Sequence, residues 1–83
     1  MTRTLIRADS FKDDLKHFKD SSLLEKMRKQ IQKIMEDPEF GKPLRYGFKG
    51  ERTIYAKPYR IIYSFDNENI YLLRFEHRKR AYD

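Results

Sequence analysis

The apolar pattern changes period near residue 50, and that change limits the fold more than any other feature. Before it, apolar residues recur every three or four positions: Phe11, Leu15 and Phe18, then Leu24, Met27, Ile31 and Ile34. Each set makes one stripe along a helix. After it, "RTIYA" (52–56), "YRIIYSF" (59–65) and "IYLLRFE" (70–76) are short and rich in Ile, Tyr and Phe, as half-buried strands require. "TRTLIR" (2–7) reads as another short strand. Ser10 is placed to cap a first helix ending near Lys19, with Asp13 and Asp14 near the positive end of its dipole. Asp20, Ser21 and Ser22 break that helix and can cap a second over about 22–36. Two prolines and three glycines make residues 36–50 a loop, and "DNEN" (66–69) is a hairpin turn.

The expected architecture is therefore α+β in a single domain over residues 1–83. An N-terminal strand and an αα-hairpin precede a three-stranded antiparallel meander, and the helices cover one face of a four-stranded sheet. Lys26, Lys29, Gln30 and Lys33 lie mostly opposite the apolar stripe of the second helix. That is the usual solvated face, although a groove-reading helix would show the same pattern.

The 83 residues include no cysteine, so neither disulfides nor thiolate metal sites are available. Charges near the start and the lack of any apolar run of ~20 residues argue against a secretory signal or a membrane span. A soluble, cytoplasmic protein is expected. The net charge of +6 is unevenly spread. Residues 1–41 hold nine Lys/Arg against eight acids, whereas residues 42–83 hold ten against five and all six tyrosines. Cations interleaved with aromatics suit a phosphate backbone and unstacked bases; a generic basic surface is the alternative.

Strand parity sharpens this picture. If Ile61, Tyr63 and Phe65 face the helices, Arg60 and Ile62 face away. Placing Leu73 and Phe75 inward turns Arg74 outward, and Arg78 with it if the strand continues that far. Placing Ile54 and Ala56 inward turns Thr53 and Tyr55 outward. Arg60, Arg74, Arg78 and Tyr55 would then share the open face. Clustered guanidinium groups match the oxygens of a phosphodiester, unless Glu51, Glu76 or Asp66 neutralises them across strands. Such a site can support phosphoryl transfer, in which preorganised cations meet the charge that builds on non-bridging oxygens. On RNA the neighbouring 2′-hydroxyl is the nucleophile, leaving orientation, charge and proton transfer to the protein.

"KPLRYGFKG", "PYRIIYSF" and "LLRFEHRKRAYD", in this order and at this length, resemble the RelE/ParE superfamily of toxins from type II toxin–antitoxin modules. The RelE branch looks closer. The resemblance implies a RelE-like, microbial RNase-like fold. It also implies a ribosome-dependent endoribonuclease that cuts messenger RNA in the ribosomal A site, inhibits translation, and uses no metal or other cofactor. The implied partners are messenger RNA, ribosomal RNA and an acidic, RelB-like antitoxin that folds on binding. By the same resemblance Arg60 holds the scissile phosphate. Arg78 serves transition-state charge or leaving-group protonation, and Tyr82 stacks on or orients a base. Lys42, Arg45 and Lys49 in the loop fit ribosomal phosphates. Arg52, Tyr55, Lys57, Arg74, Lys79 and Arg80 complete the candidate RNA-contacting set.

The chain departs from the family pattern on its second predicted strand. Outward basic residues are common there in RelE-like proteins, whereas Thr53 and Tyr55 stand here, with Arg52 out of phase. The general base is thus open among His77, Lys49, Lys57 and Tyr55. His77 has the only suitable ordinary pKa, yet its parity points coreward. Two other functions stay in play: a ParE-like inhibitor that binds DNA gyrase and cuts nothing, and a non-catalytic ribosome-binding homologue.

Overall fold

The computed structural model describes residues 3–44 and 50–77. The chain runs β1 (Thr4–Arg7), α1 (Asp9–Leu15), α2 (Ser21–Glu36), a 3-10 turn (Pro38–Phe40), β2 (Lys42–Pro43), β3 (Arg52–Ala56), β4 (Tyr59–Phe65) and β5 (Asn69–His77). The sheet order is β1-β5-β4-β3-β2. β1 lies parallel to β5, and every other pairing is antiparallel. Among the described residues no helix is long and apolar enough to cross a membrane.

The expected α+β arrangement is present, with two corrections to its detail. The sheet has five strands, because β2 forms inside the stretch read as a loop. A two-residue strand with a proline leaves no alternation to detect. Ser10 is not the cap of α1; Ala8 holds that position without a side-chain bond. Ser10 is the second residue of α1 and donates its hydroxyl to the Leu73 carbonyl at 2.6 Å. Asp20 does cap α2, accepting from the Ser22 and Leu23 N–H groups.

The core lies between the helices and one sheet face. Phe11, Leu23, Met27 and Ile34 meet Ile54, Ala56, Ile61, Tyr63, Ile70, Leu72 and Phe75, all buried. Phe18 packs edge-on against Tyr59 and Phe75, with ring centroids 4.7 and 5.0 Å apart. Such tilted pairs add to the area they bury.

Inward parity predicted Leu73 with Phe75, and here the structure differs. Ile62 pairs with Arg74 but Tyr63 pairs with Leu72, so Leu73 is the extra residue of a β-bulge. Before the bulge Ile70 and Leu72 face the core; after it Phe75 does. One inserted residue inverts the alternation, because the side-chain period is two.

The segment before β2 is fixed by Tyr63, whose hydroxyl donates to the Pro38 carbonyl (2.6 Å) and accepts from Gly41 N–H (2.9 Å). A Cβ on Gly41 would lie 2.5 Å from that hydroxyl and 2.8 Å from the Thr53 carbonyl, so only glycine fits. In the β4–β5 turn, Asp66 accepts from the Glu68 and Asn69 N–H groups and the Tyr71 hydroxyl. These bonds, the backbone pair foremost, hold its carboxyl below the usual carboxylate range.

Burial raises the Tyr63 phenol above its ordinary value, only partly opposed by the Gly41 N–H. Tyr63→Phe leaves two buried backbone groups without that partner and should cost about 1–3 kcal/mol. The phenol's contribution is fully present below the unfolded pKa near ~10 and is lost as pH rises toward the higher folded value. Thermal unfolding of both proteins should therefore show a Tm gap at neutral pH that narrows in alkali.

Candidate functional site

β1 ends opposite Leu72, and beyond that residue no strand among the described residues lies beside the outer edge of β5. α1 fills the place with two polar side chains one turn apart. Ser10 takes the Leu73 carbonyl, and Asp14 Oδ2 accepts from Phe75 N–H at 2.9 Å. The same Asp14 carboxylate binds Arg74 through both oxygens, at 2.8 Å from Nε and 3.2 Å from Nη2. This fork raises Arg74 above its already high ordinary pKa, so it remains a cation at any physiological pH.

Arg74 faces away from the helices because the bulge has just inverted the parity of β5. Glu76, two residues on, shares that face. Across the ladder Glu76 is opposite Arg60, and Arg60 is opposite Tyr55. A row Tyr55–Arg60–Glu76 therefore crosses three strands, with Arg74 beside it. Glu76 Oε2 is 3.7 Å from Arg60 Nη2, and Glu76 Oε1 is 4.0 Å from Arg74 Nε. Asp14, Arg74, Glu76 and Arg60 form one chain of alternating charge from α1 to β4.

Parity correctly places Arg60, Arg74 and Tyr55 on one face, but their exposure differs. Arg60 is 4% exposed, and Thr53 and Ile62 on the same face are also buried. Tyr55 is exposed at the side. The pairing of Arg60 with Glu76 is the cross-strand neutralisation that composition left open.

Arg52 is not brought to this face. Its guanidinium donates to the Gly41 (2.6 Å) and Glu39 (3.2 Å) carbonyls and lies over the Phe65 ring. Lys42, on β2 opposite Thr53, is exposed and lines a cleft with Thr53 and Tyr55, the end of the Arg60 row; Lys57, after β3, is exposed as well. His77 is half-buried on the core side of β5, edge-on to Tyr59 with centroids 5.3 Å apart. It shares a cleft of about 350 Å³ with Asp14, His17, Tyr59, Arg74 and Glu76. Arg45, Lys49, Arg78, Lys79, Arg80 and Tyr82 lie outside the described residues.

Sequence reasoning missed two participants. Glu76 was visible as a same-face neighbour of Arg74 at spacing two, but it was weighed only as a competitor for the arginines. Asp14 carried no signal, since 60 residues separate it from Arg74. Asp14→Ala removes the acceptor for Phe75 N–H as well as the Arg74 fork and should lower stability by about 1–3 kcal/mol. Asp14→Asn still offers a carbonyl to Phe75 and should lose less, which denaturant unfolding of the two variants measures.

Known proteins supply the context for this geometry. Residues 5–82 match a family model described as the ParE toxin of the type II toxin–antitoxin system, parDE. A comparison with curated protein sequences finds no match. Among solved structures, the YoeB dimer from Staphylococcus aureus is similar with a TM-score of 0.80 and 15% identity, covering 94% of this chain and 99% of that one. The toxin–antitoxin complex RelBE2 from Mycobacterium tuberculosis gives 0.77 at 23% identity, covering 94% of this chain and all of its counterpart (100%). The RelB–RelE antitoxin–toxin complex from Methanococcus jannaschii gives 0.72 at 23% identity, over 94% and 95%. At these identities the structural likeness establishes the fold.

Proposed function

The chain belongs to the ParE toxin family of type II toxin–antitoxin systems, and we propose that this toxin is an endoribonuclease acting on messenger RNA at the ribosome. One observation carries the reading: guanidinium groups from two neighbouring strands, Arg60 and Arg74, converge within 4.0 Å of a single carboxylate on the face away from the helices. Two planar cations around one small anion form the kind of arrangement that a phosphodiester also satisfies.

The proposed division of labour follows from chemistry. Arg60 and Arg74 hold the scissile phosphate and meet the charge that grows on its non-bridging oxygens. The 2′-hydroxyl of the RNA is the nucleophile, which leaves the protein to orient it and move protons, without a metal. Tyr55, exposed at the end of the row, offers a ring to a base. Arg78 and Tyr82 are proposed from the family resemblance for transition-state charge and base stacking. His77, at the adjoining cleft, is available for proton exchange. Lys42, Arg45, Lys49, Lys57, Lys79 and Arg80 supply contacts to ribosomal phosphates. Two of the similar solved structures are complexes of a toxin with its antitoxin. An acidic antitoxin segment that orders on binding suits a chain of net charge +6. The proposed site of action is the cytoplasm.

A second reading has a specific observation behind it. Arg60 is already neutralised by Glu76, and the matching family model is the ParE toxin; a protein that occupies DNA gyrase and cuts nothing would need no phosphate site.

Mapping of 5′ ends on messages in a translating extract separates the two. Cuts confined to translated frames are expected. Arg60→Ala should lower their yield by about 10²-fold or more, the scale of losing one preorganised charge in such a site. Intact messages together with blocked supercoiling would establish the second reading instead.

A further inference from the structure

The ribonuclease reading needs a group to take the proton from the 2′-hydroxyl, and His77 is only one candidate for it. β3 presents Thr53 and Tyr55 where a basic side chain would serve. We infer that Glu76 on β5 is that general base; the inference rests on the ribonuclease reading.

Three features of Glu76 support it. Its carboxylate lies between the two arginines assigned to the phosphate, so a phosphodiester held by them places its own ribose beside Glu76. Its contacts to those arginines, 3.7 and 4.0 Å, are ion-pair distances longer than a hydrogen bond, which leaves oxygen lone pairs able to accept the hydroxyl proton. Its side chain is 16% exposed and lines the cleft shared with His17 and His77, so it is held in place yet reachable. Asp14 lines the same cleft and is as enclosed, at 17% exposed, but it differs in its oxygens, which are already taken by Arg74 and Phe75 N–H.

The charges explain why a base would be built between arginines. Asp14, Arg74, Glu76 and Arg60 sum to zero while Glu76 is ionised. When the carboxylate accepts the proton, the cluster gains one positive charge as the pentacoordinate phosphorus gains a negative one. Proton transfer thus releases both guanidinium groups toward the transition state. The O2′–H bond breaks and its proton goes to Glu76 while O2′ bonds to phosphorus. The P–O5′ bond then breaks, and the leaving oxygen takes a proton from water. Glu76 returns its proton to solvent. The products are a 2′,3′-cyclic phosphate and a 5′-hydroxyl, with no net gain or loss of protons.

The charged groups nearest Glu76 are Arg60 on β4 and Arg74 on β5, with Asp14 of α1 beyond Arg74; His17 and His77 line the same cleft, His77 from the core side of β5. His77 is the rival base. Single-turnover cleavage of a ribosome-bound message decides between them when followed against pH for the wild type, Glu76→Gln, Glu76→Asp and His77→Gln. Glu76→Gln should cut at least about 10²-fold more slowly, the usual worth of a general base, with ribosome affinity unchanged. Its rate should lose the fall toward low pH, whereas His77→Gln should keep it. Glu76→Asp retains the charge with a shorter reach and should fall between, so a folding failure of the Gln variant does not remove the test. Wild-type cutting with Glu76→Gln equally fast, Glu76→Asp at full rate, or the acid limb lost in His77→Gln instead would overturn the inference alone. A wild-type protein that leaves messages intact overturns the ribonuclease reading and this inference with it.

Discussion

One extra residue in β5 determines which side chains reach the open face. Ile70 and Leu72 point to the core, so strict alternation would send residues 74 and 76 there as well. That would bury Arg74 and Glu76 among Phe11, Ile34 and Leu72, a cost no pairing readily offsets. Leu73 absorbs the phase, Phe75 takes the next core position, and both ionic residues turn outward. The bulge leaves a carbonyl and an N–H where β1 no longer reaches. α1 answers both, through Ser10 and Asp14 at helical spacing.

That arrangement links packing to chemistry. Phe11 anchors α1 in the core, and the same helix carries Asp14 to the strand edge. Asp14 fixes the direction of Arg74, Arg74 borders Glu76, and Glu76 borders Arg60. A partly exposed pair such as Asp14–Arg74 contributes little to stability by charge alone. Its greater effect is on geometry, since a forked contact restrains a long side chain that would otherwise sample many rotamers. The buried Arg60–Glu76 contact is weak evidence for stability as well, because desolvation offsets much of the attraction. Keeping a charged row on the sheet is easier to understand as provision for an anion than as reinforcement of the fold.

The fold was legible because its signals are local. The change of period near residue 50, the Asp20 cap and the "DNEN" turn each depend on neighbours in sequence, and each is where it was expected. β2 was not legible, since Lys42 and Pro43 pair only because Tyr63 and Arg52 draw the preceding carbonyls toward the sheet. Half of the site was legible too. Alternation in β3 and β4 places Tyr55 beside Arg60 correctly. The phase used for β5 was correct past the bulge and wrong before it, which is why Arg74 came out right while Ile70 and Leu72 were overlooked as core.

The burial of Arg60 follows from none of these rules, because alternation assigns a face and says nothing about depth. Nor does alternation assign a role to an acid. Beside two arginines on a basic chain, a glutamate reads as a counter-ion that weakens an RNA site. Its position changes that judgement: a carboxylate that merely neutralised Arg60 would gain most from a direct, forked hydrogen bond such as Asp14 makes to Arg74. Glu76 instead stands off from both guanidinium groups at ion-pair distance, open to the cleft. That geometry gives up some electrostatic attraction and keeps an accepting oxygen available, a poor arrangement for a structural salt bridge and a suitable one for a group that must receive a proton.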